Sequence, residues 1–254
     1  MRIFDSHFHI IDPRFPLVPN NGFLPEPFTV SDYNKQAHWL RIEGGAVVSG
    51  SFQAFDQSYL LDTLSLLGEN YVGVTQLPAT TKDDEILSLH KSGIRAIRFN
   101  VRRGGSEEIS KIRELGARVY DLAGWHVELY IDAKEVDEFL EEVLLSLPKV
   151  SIDHLGLSKL GFPTILRLVE KGVRVKATGF GRTNLDIRSA LVEIAEINPD
   201  ALLFGTDLPS TRSPAPFTEE DLHIVTDTFD GELLQKILYS NALQFYGLSR
   251  KVRI

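Results

Sequence analysis

The sequence predicts an α/β fold, a closed (β/α)8 TIM barrel that forms a single domain over residues 1–254. Three observations support this prediction. Short apolar segments rich in β-branched residues alternate with amphipathic segments, there are eight of the apolar segments in 254 residues, and polar side chains cluster at the ends of many of them. Strict alternation of strands and helices predicts a parallel sheet covered by helices, and eight units in about 250 residues match a closed barrel in number and length.

The eight predicted strands share an apolar composition with many β-branched residues. They span residues 2–10, 45–51, 71–77, 94–101, 125–131, 149–155, 172–179 and 201–208. Helices are predicted at 107–124, 133–148 and 162–172, where apolar residues recur at three- and four-residue spacings. The stretch from Thr218 to about Tyr246 predicts two helices that are separated near the sequence FDGE.

The segment from Asp12 to Ser31 contains five prolines and has no helical period, so we expect a long first loop over the mouth of the barrel. A doubly wound open sheet is the alternative architecture. The barrel is favoured because no glycine-rich phosphate loop follows the first strand. It is also favoured because polar residues lie at the ends of many strands instead of at one switch point.

Composition limits the class of protein. The chain has no cysteine, which excludes disulfides and thiolate metal sites. Its formal net charge of -8 argues against nucleic acid as a partner, because binding to phosphates requires a basic surface. No run of 18 apolar residues occurs and the first residues lack the apolar core of a signal peptide, so we expect a cytoplasmic protein that does not enter a membrane. The expected partner is a small molecule, and a homodimer is a fair default for the assembly.

The first predicted strand reads RIFDSHFHI and is interrupted by three polar residues. Successive side chains of an extended segment point to opposite faces, so Asp5, His7 and His9 are expected to share one face. A solvated edge strand would explain a single histidine. Two histidines two residues apart beside an aspartate, at the end of an apolar run, indicate a functional site instead.

Catalytic side chains of a (β/α)8 barrel lie at the carboxyl ends of the strands, on the loops that form the mouth. Polar residues that are far apart in the sequence occupy these positions and are therefore expected to converge in space. They are His7 and His9 on the first strand, Arg98, Arg102 and Arg103 on the fourth, Glu128 and Tyr130 on the fifth, Asp153 and His154 on the sixth, Lys176 to Arg182 on the seventh, and Asp207 on the eighth.

Each of these residues also has a purely structural explanation. Asp207 could cap a turn, and His154 could be a packed core histidine, although the Gly156 turn that follows it favours a site. Glu128 and Lys176 could form an ion pair inside the barrel. The remaining histidines are interpreted as structural because they lie at helical or strand-entry positions: His38, His90, His126 and His223.

A resemblance to a known family is carried by seven segments, which follow one another from the first strand to the last helix. They read FDSHFHIIDPRFPLVPNNGFLPEPFT, IRFNVRR, WHVELY, IDHLG, KATGFGR, GTDLP and NALQFYG. Together they resemble the amidohydrolase-related barrel hydrolases, in the branch that contains 2-pyrone-4,6-dicarboxylate lactonase. The resemblance implies a hydrolase that opens a lactone, or a related ester or amide, of a small carboxylate-bearing substrate and requires no metal.

The resemblance also implies roles for single residues. Asp207 matches the aspartate that activates the attacking water or relays its proton in this family. His7, His9 and His154 match its first-strand and sixth-strand histidines, which are suited to polarising a carbonyl group.

Three further residues are implied to bind the substrate. Arg103 and Arg182 match positions that hold substrate carboxylates and the carbonyl oxygen, where a guanidinium makes two-pronged contacts. Tyr130 stands where metal-dependent relatives place a fifth-strand histidine.

The sequence leaves the metal requirement open. A divalent metal such as zinc is usually held by three or four histidine or carboxylate ligands. His7, His9 and Asp207 are candidates for a single ion, with His154 as a further donor, whereas a binuclear site is not expected. A metal-dependent amidohydrolase or decarboxylase is therefore one alternative function, and a non-catalytic small-molecule binding barrel is another. A nucleotide-binding open sheet is the least favoured.

Overall fold

Eight parallel strands form one sheet, and their order in the sheet is their order in the chain. The computed structural model describes residues 1–248. The strands are β1 (Ile3–Phe8), β2 (Ile42–Val48), β3 (Tyr71–Thr75), β4 (Ile94–Asn100), β5 (His126–Tyr130), β6 (Val150–Ile152), β7 (Arg174–Ala177) and β8 (Leu202–Phe204). This arrangement confirms the predicted (β/α)8 barrel.

Helices follow the strands and cover the outer face of the sheet, as the amphipathic segments predicted. They are α1 (Val30–Gln36), α2 (Ser58–Leu67), α3 (Asp83–Lys91), α4 (Ile112–Ala123), α5 (Glu138–Ser146), α6 (Phe162–Glu170), α7 (Ile187–Ile197), α8 (Glu219–Thr228), α9 (Gly231–Gln235) and α10 (Asn241–Phe245). The predicted break near FDGE is confirmed, since α8 ends just before it and α9 begins within it. A π-helical segment, Lys236–Ser240, joins α9 to α10.

The strand bounds differ from the predicted ones for local reasons. β6 and β8 are only three residues long, because the chain turns away into the site: His154, Leu155 and Asp207 have φ values of 51°, 53° and 60°. Such left-handed backbone ends a strand. β2 begins earlier than predicted, at Ile42, because Gly44 lies inside the strand. A Cβ atom at Gly44 would lie 2.4 Å from a backbone oxygen of the β3 segment, so glycine permits a close approach there and makes no turn.

The barrel closes at a seam between β1 and the residues that follow β8. The backbone N–H of Asp207 donates to the carbonyl oxygen of His7 at 2.7 Å, and that of His9 donates to the carbonyl oxygen of Leu208 at 2.8 Å. Gly205 lies inside this seam, where a Cβ atom would be 2.7 Å from the backbone nitrogen of His7. The seam therefore fixes the first strand against the last at the level of the candidate site residues.

The Asp5 carboxylate belongs to this seam, which corrects the expectation that it shares a face with the two histidines. It accepts hydrogen bonds from the backbone N–H of Thr206 at 2.8 Å, from the Thr206 hydroxyl at 2.7 Å and from the Tyr33 hydroxyl at 3.0 Å. The pairing of β1 with β2 shifts register after Asp5, so the strict alternation assumed from the sequence is interrupted there.

The proline-rich segment lies over the mouth of the barrel, as predicted. The backbone N–H of Val18 donates to the carbonyl oxygen of Phe52, at 2.8 Å, in the loop after β2. Asn20 donates from its side chain to the carbonyl oxygen of Arg103 at 3.0 Å, in the loop after β4. The first loop is thus held to the loops after β2 and β4.

No helix among residues 1–248 is both long enough and apolar enough to cross a lipid bilayer. This finding concerns the helices only and agrees with the hydropathy of the sequence.

The seam predicts a specific stability effect. In Thr206→Val the buried Asp5 carboxylate loses the hydroxyl donor, and we expect a loss of about 1–3 kcal/mol in the free energy of unfolding, measured by urea denaturation. Thr226→Val is the matched control, because the Thr226 hydroxyl has only a long contact of 3.4 Å within α8. Equal stability of the two variants would contradict the role given to the seam.

Candidate active site

Three imidazoles and one carboxylate meet at the carboxyl ends of the strands. The ring centre of His7 lies 5.0 Å from that of His9 and 4.9 Å from that of His154. One oxygen of Asp207, Oδ1, is 3.9 Å from Nε2 of His7 and 3.8 Å from Nε2 of His9. All four side chains are buried. The structure thus brings together the four residues that the sequence singled out as catalytic candidates.

His154 is placed by an unusual local backbone. It lies at the start of a short 3₁₀ turn, His154–Gly156, directly after β6, and its own φ is positive. Gly179 of the loop after β7 is pressed against the ring, since a Cβ atom at Gly179 would lie 2.5 Å from Nδ1 of His154. Tyr130, at the end of β5, packs edge-on against the same ring with centres 5.0 Å apart.

Arg182 binds the candidate base directly. Its Nε donates to Oδ2 of Asp207 at 2.7 Å, and its Nη2 donates to the carbonyl oxygen of Thr211 at 3.0 Å. The other carboxylate oxygen, Oδ1, is buried and has no hydrogen-bond partner within residues 1–248. Burial raises the pKa of Asp207 above its ordinary value, although the Arg182 guanidinium acts in the opposite direction. Asp207 is therefore held by one oxygen and presents the other to the site.

The histidines of the site are uncharged. Burial lowers the pKa of His9 to about 3, and the nearby Arg98 adds to the shift. Burial also holds the pKa values of His7 and His154 well below the ordinary value; Lys176 contributes to the shift at His7, and His7 contributes to the shift at His154. Neutral imidazoles donate or accept hydrogen bonds, and they are also the form that binds metals.

Buried ion pairs lie next to these histidines. Arg98 donates to one oxygen of Asp153 through Nε at 3.0 Å and through Nη2 at 2.8 Å. Lys176 forms a buried ion pair with Glu128, which confirms the ion pair considered from the sequence. Burial alone would raise the pKa of Asp153, but Arg98 and Lys176 together lower it below its ordinary value. The negative charges of Asp153 and Glu128 are therefore each balanced by a buried cationic side chain.

His126 lies at the opposite end of β5 from the mouth. Its Nε2 is 3.0 Å from Oε1 of Glu128, and its ring packs on Phe245. This contact agrees with its interpretation as a structural histidine.

Two arginines at the rim have no carboxylate partner in the described part of the chain. Arg103, a predicted site residue, lines the mouth beside Tyr130 and Arg182. Arg212 was missed by the sequence analysis. Its Nη1 donates to Oδ1 of Asn20 at 3.0 Å and its Nη2 to the hydroxyl of Ser51 at 2.8 Å. Nothing in the local sequence distinguishes Arg212 from a surface arginine, because these partners lie in loops more than 150 residues away.

The loops leave little open space above the histidines. An inner cavity of about 30 Å³ lies against His9 and His154, which is room for about one water. A groove of about 560 Å³ opens beside it toward the surface. The side chains that line both spaces are Arg103, Tyr130, Arg182 and Arg212. The boundary between cavity and groove is thus made largely of cationic side chains.

Comparison with known proteins shows the family of this chain. The sequence model of the amidohydrolase family matches residues 4–248. The chain belongs to the amidohydrolase family. It is accordingly a hydrolase, as the sequence analysis predicted.

Individual relatives of this amidohydrolase carry related names. A 2-pyrone-4,6-dicarboxylate hydrolase of Comamonas testosteroni is 25% identical over 276 residues, which cover 95% of this chain and 89% of the relative. Two solved structures share the fold. A probable 2-pyrone-4,6-dicarboxylic acid hydrolase of Acinetobacter baumannii, with citric acid bound, has a TM-score of 0.84 at 22% identity, covering 97% of this chain and 100% of that one. A putative enzyme of the same description from Pseudomonas putida has a TM-score of 0.80 at 24% identity, covering 98% of both chains.

Many amidohydrolases use metal ions, and this site contains side chains that could bind one. The ligand atoms of His7, His9 and Asp207 lie within 4.8 Å of one another, which suits a single divalent ion. The hydrogen bonds of the two histidines are less suitable for binding a metal ion. Nδ1 of His9 is 2.7 Å from the carbonyl oxygen of Val48, which leaves Nε2 free to bind a metal. Nδ1 of His7 is instead 3.2 Å from the ammonium of Lys176. A metal-bound histidine almost always donates a hydrogen bond from that nitrogen, so the set of His7, His9 and Asp207 does not fit a three-ligand zinc site. In the second set of donors that lie as close together, His7, Asp153 and His154, the Asp153 carboxylate is already paired with Arg98.

The buried pair of Arg98 and Asp153 predicts a stability effect. Arg98→Met leaves a buried carboxylate without its main partner, and we expect the free energy of unfolding to fall by about 3–5 kcal/mol. Arg113→Met is the control, because Arg113 pairs with Glu142 at the surface. That variant is expected to lose less than about 1 kcal/mol. Urea denaturation followed by circular dichroism measures both, and similar losses would contradict the assignment.

Proposed function

We propose that this amidohydrolase opens the lactone ring of a small carboxylate-bearing compound, through a water that Asp207 activates. The observation that carries the proposal is the free oxygen of Asp207. It is buried and faces two imidazoles, and the adjacent inner cavity has room for about one water. A general base must lie within hydrogen-bond reach of the proton that it removes, and Oδ1 lies 3.8 Å from Nε2 of His9, a residue that lines the cavity.

The proposed reaction has two stages. Asp207 takes a proton from the water while the water oxygen bonds to the lactone carbonyl carbon, and the carbonyl oxygen becomes an oxyanion. The oxyanion then collapses, the bond from the carbonyl carbon to the ring oxygen breaks, and the departing oxygen receives the proton from Asp207. The product contains one new carboxylic acid and one new hydroxyl group, so one water is consumed and the carboxylate is regenerated.

The environment of Asp207 suits it to act as a base. Burial raises its pKa and so strengthens the carboxylate as a proton acceptor, while Arg182 keeps enough positive charge nearby for the carboxylate to form. Because Arg182 binds only Oδ2, the lone pairs of Oδ1 remain free to accept a proton. Arg182 therefore orients the base, in addition to any contact that it makes with the substrate.

Neutral histidines surround the expected position of the carbonyl oxygen. His7 and His154 are buried, and each has a ring nitrogen without a hydrogen-bond partner in the described residues. Preorganised donors in such a site strengthen as negative charge develops on the oxygen. We assign His7, His9 and His154 to contacts with the carbonyl oxygen and the water.

The rim supports a substrate that carries carboxylates. Arg103 and Arg212 are guanidinium groups without a carboxylate partner in residues 1–248, and they flank the entrance with Tyr130. Arg212 makes contacts with neutral acceptors only, and a carboxylate would replace them with stronger, charge-assisted hydrogen bonds. Two further facts agree: relatives are named for a pyrone dicarboxylate, and one binds citric acid.

Metal-dependent hydrolysis is the second candidate, and the spacing of the donor atoms in His7, His9 and Asp207 is the observation that favours it. A metal there would supply a Lewis acid and a more acidic water. The contact between His7 and Lys176 opposes it, so we propose the metal-independent reaction.

The role of Asp207 has a direct test. Asp207→Asn keeps the shape of the side chain but removes its basicity, and we expect kcat for 2-pyrone-4,6-dicarboxylate to fall by about 10²- to 10⁴-fold. Circular dichroism checks that the variant is folded. Asp200→Asn is the control, since Asp200 pairs with Lys236 at the surface, and it is expected to keep the wild-type rate. A rate near that of the wild type in Asp207→Asn would contradict the assignment of Asp207 as the general base.

The carboxylate site predicts a selective effect on KM. Arg103→Gln should raise KM for 2-pyrone-4,6-dicarboxylate by about tenfold or more, because a charge-assisted hydrogen bond is lost. KM for the dimethyl ester of the same compound, which has no carboxylate charge, should change less than about twofold. Arg113→Gln removes the same charge away from the mouth and serves as the control. Equal effects of Arg103→Gln on both substrates would exclude carboxylate binding by this residue.

Whether the reaction requires a metal ion can be tested on the purified enzyme. We expect its rate to survive exhaustive treatment with a chelator that lowers zinc, manganese and iron well below the enzyme concentration, as measured by elemental analysis. Loss of the rate on chelation, with recovery on adding a divalent metal, would establish the metal-dependent alternative.

A further inference from the structure

A lysine lies directly beneath the first histidine of the site. Nζ of Lys176, on β7, is 3.2 Å from Nδ1 of His7, and both side chains are completely buried. The ammonium also pairs with Glu128 and lies 3.7 Å from Oδ1 of Asp153. Two carboxylates thus balance its charge. An ammonium group has three donor hydrogens and no acceptor, so Nδ1 of His7 is the acceptor in this contact.

The position of the hydrogen on His7 follows from this contact. An imidazole whose Nδ1 accepts a hydrogen bond is not an imidazolium, because both nitrogens of an imidazolium carry hydrogen, so the ring is neutral. A neutral imidazole carries one hydrogen, and if Nδ1 accepts, that hydrogen is on Nε2. Nε2 is the atom that faces Asp207, and it has no hydrogen-bond partner within the described chain.

The other hydrogen position is poorly supported by the neighbouring groups. A hydrogen on Nδ1 would need an acceptor, and the nearest carboxylate oxygen is Oδ1 of Asp153 at 3.5 Å. That oxygen makes no hydrogen bond to any residue in the range 1–248, so the two atoms are close but not aligned. Oδ2 of Asp153 receives both hydrogen bonds from Arg98.

His9 has the opposite arrangement. Its Nδ1 is 2.7 Å from the carbonyl oxygen of Val48, and a carbonyl oxygen can only accept. The hydrogen of His9 is therefore on Nδ1, and its Nε2 carries a lone pair. Around the free oxygen of Asp207, His7 presents a donor and His9 presents an acceptor.

We propose that Lys176 is a positioning residue that holds His7 in the Nε2–H tautomer, so that His7 donates a hydrogen bond to the reacting carbonyl oxygen and is prevented from binding a metal. That His7 donates to a carbonyl oxygen of the substrate rests on the proposed function. The Nε2–H tautomer of His7, in contrast, is a property of the free enzyme. His9 accepts from the attacking water and helps to orient it toward the carbonyl carbon. Lys176 itself does not reach the substrate.

The first experiment needs no substrate and no variant of Lys176. The enzyme is labelled with ¹⁵N at its histidine rings, and long-range ¹⁵N–¹H correlation spectra show which ring nitrogen of each histidine carries the hydrogen. Single substitutions His7→Gln and His9→Gln assign the signals. We expect hydrogen on Nε2 of His7 and on Nδ1 of His9. A hydrogen on Nδ1 of His7 would overturn the proposal.

The second experiment compares two variants that lose the same charge. Lys176→Gln keeps an N–H donor, whereas Lys176→Met has none, and both leave Glu128 without its partner. In Lys176→Met we expect the Nδ1–H tautomer of His7 to appear and zinc, titrated alone by calorimetry, to bind at least about tenfold more tightly than to wild type. Lys176→Gln should keep the wild-type tautomer. If either variant fails to fold, both are made together with Glu128→Gln.

Kinetics separate positioning from simple packing. Loss of one oxyanion donor lowers kcat by about 10²- to 10³-fold in enzymes of comparable chemistry, so Lys176→Met should lower kcat by about that factor with little change in KM. Lys176→Gln should recover part of kcat. An unchanged tautomer in Lys176→Met would overturn the proposal. If wild-type enzyme shows the expected tautomers but opens no lactone, the proposed function fails while the assignment of Lys176 stands.

Discussion

The seam between the first and last strands is the constraint on which the rest of the site depends. His7 and His9 come from the start of the chain and Asp207 from a point about 200 residues later. Two backbone hydrogen bonds, from Asp207 to His7 and from His9 to Leu208, connect them directly. Because these are backbone bonds at the level of the reacting groups, the spacing of base and imidazoles is set by barrel closure rather than by flexible side chains. The Asp5 carboxylate completes the seam through Thr206.

Charge is arranged in two layers around this seam. In the inner layer, next to the histidines, Arg98 and Lys176 are matched by Asp153 and Glu128, so the layer is compensated and rigid. In the outer layer, the arginines of the rim have no carboxylate partner in the described chain. A protein with a net charge of -8 therefore presents a positive entrance, because the local arrangement of charges sets the potential in a pocket. In the proposed function, the inner layer positions the groups that react, and the outer layer at the rim binds an anionic substrate.

The parts of the fold that could be predicted from the sequence are those that local or periodic residue patterns specify. All eight strands and the break before Gly231 were predicted, because apolar periodicity and glycine reflect backbone preferences of short segments. The convergence of His154 and Asp207 on the first-strand histidines was predicted from the rule that barrel sites lie at the carboxyl ends of strands. The prediction for Asp5 was wrong, since a register shift in β1 cannot be read from alternation. Arg212 was missed because its contacts with Asn20 and Ser51 join distant loops.

The sequence by itself determined the fold class, the family and the residue types available for chemistry, because periodicity and strand-end composition are properties of the chain in its own order. Only the tertiary structure decided how those residues are used. Arg182 binds the candidate base, and Lys176 places a donor against His7, and we propose that this contact makes the imidazole a hydrogen-bond donor instead of a metal ligand. Hydrogen-bond direction depends on which atoms meet across the barrel, and β7 and β1 meet only when the barrel is folded.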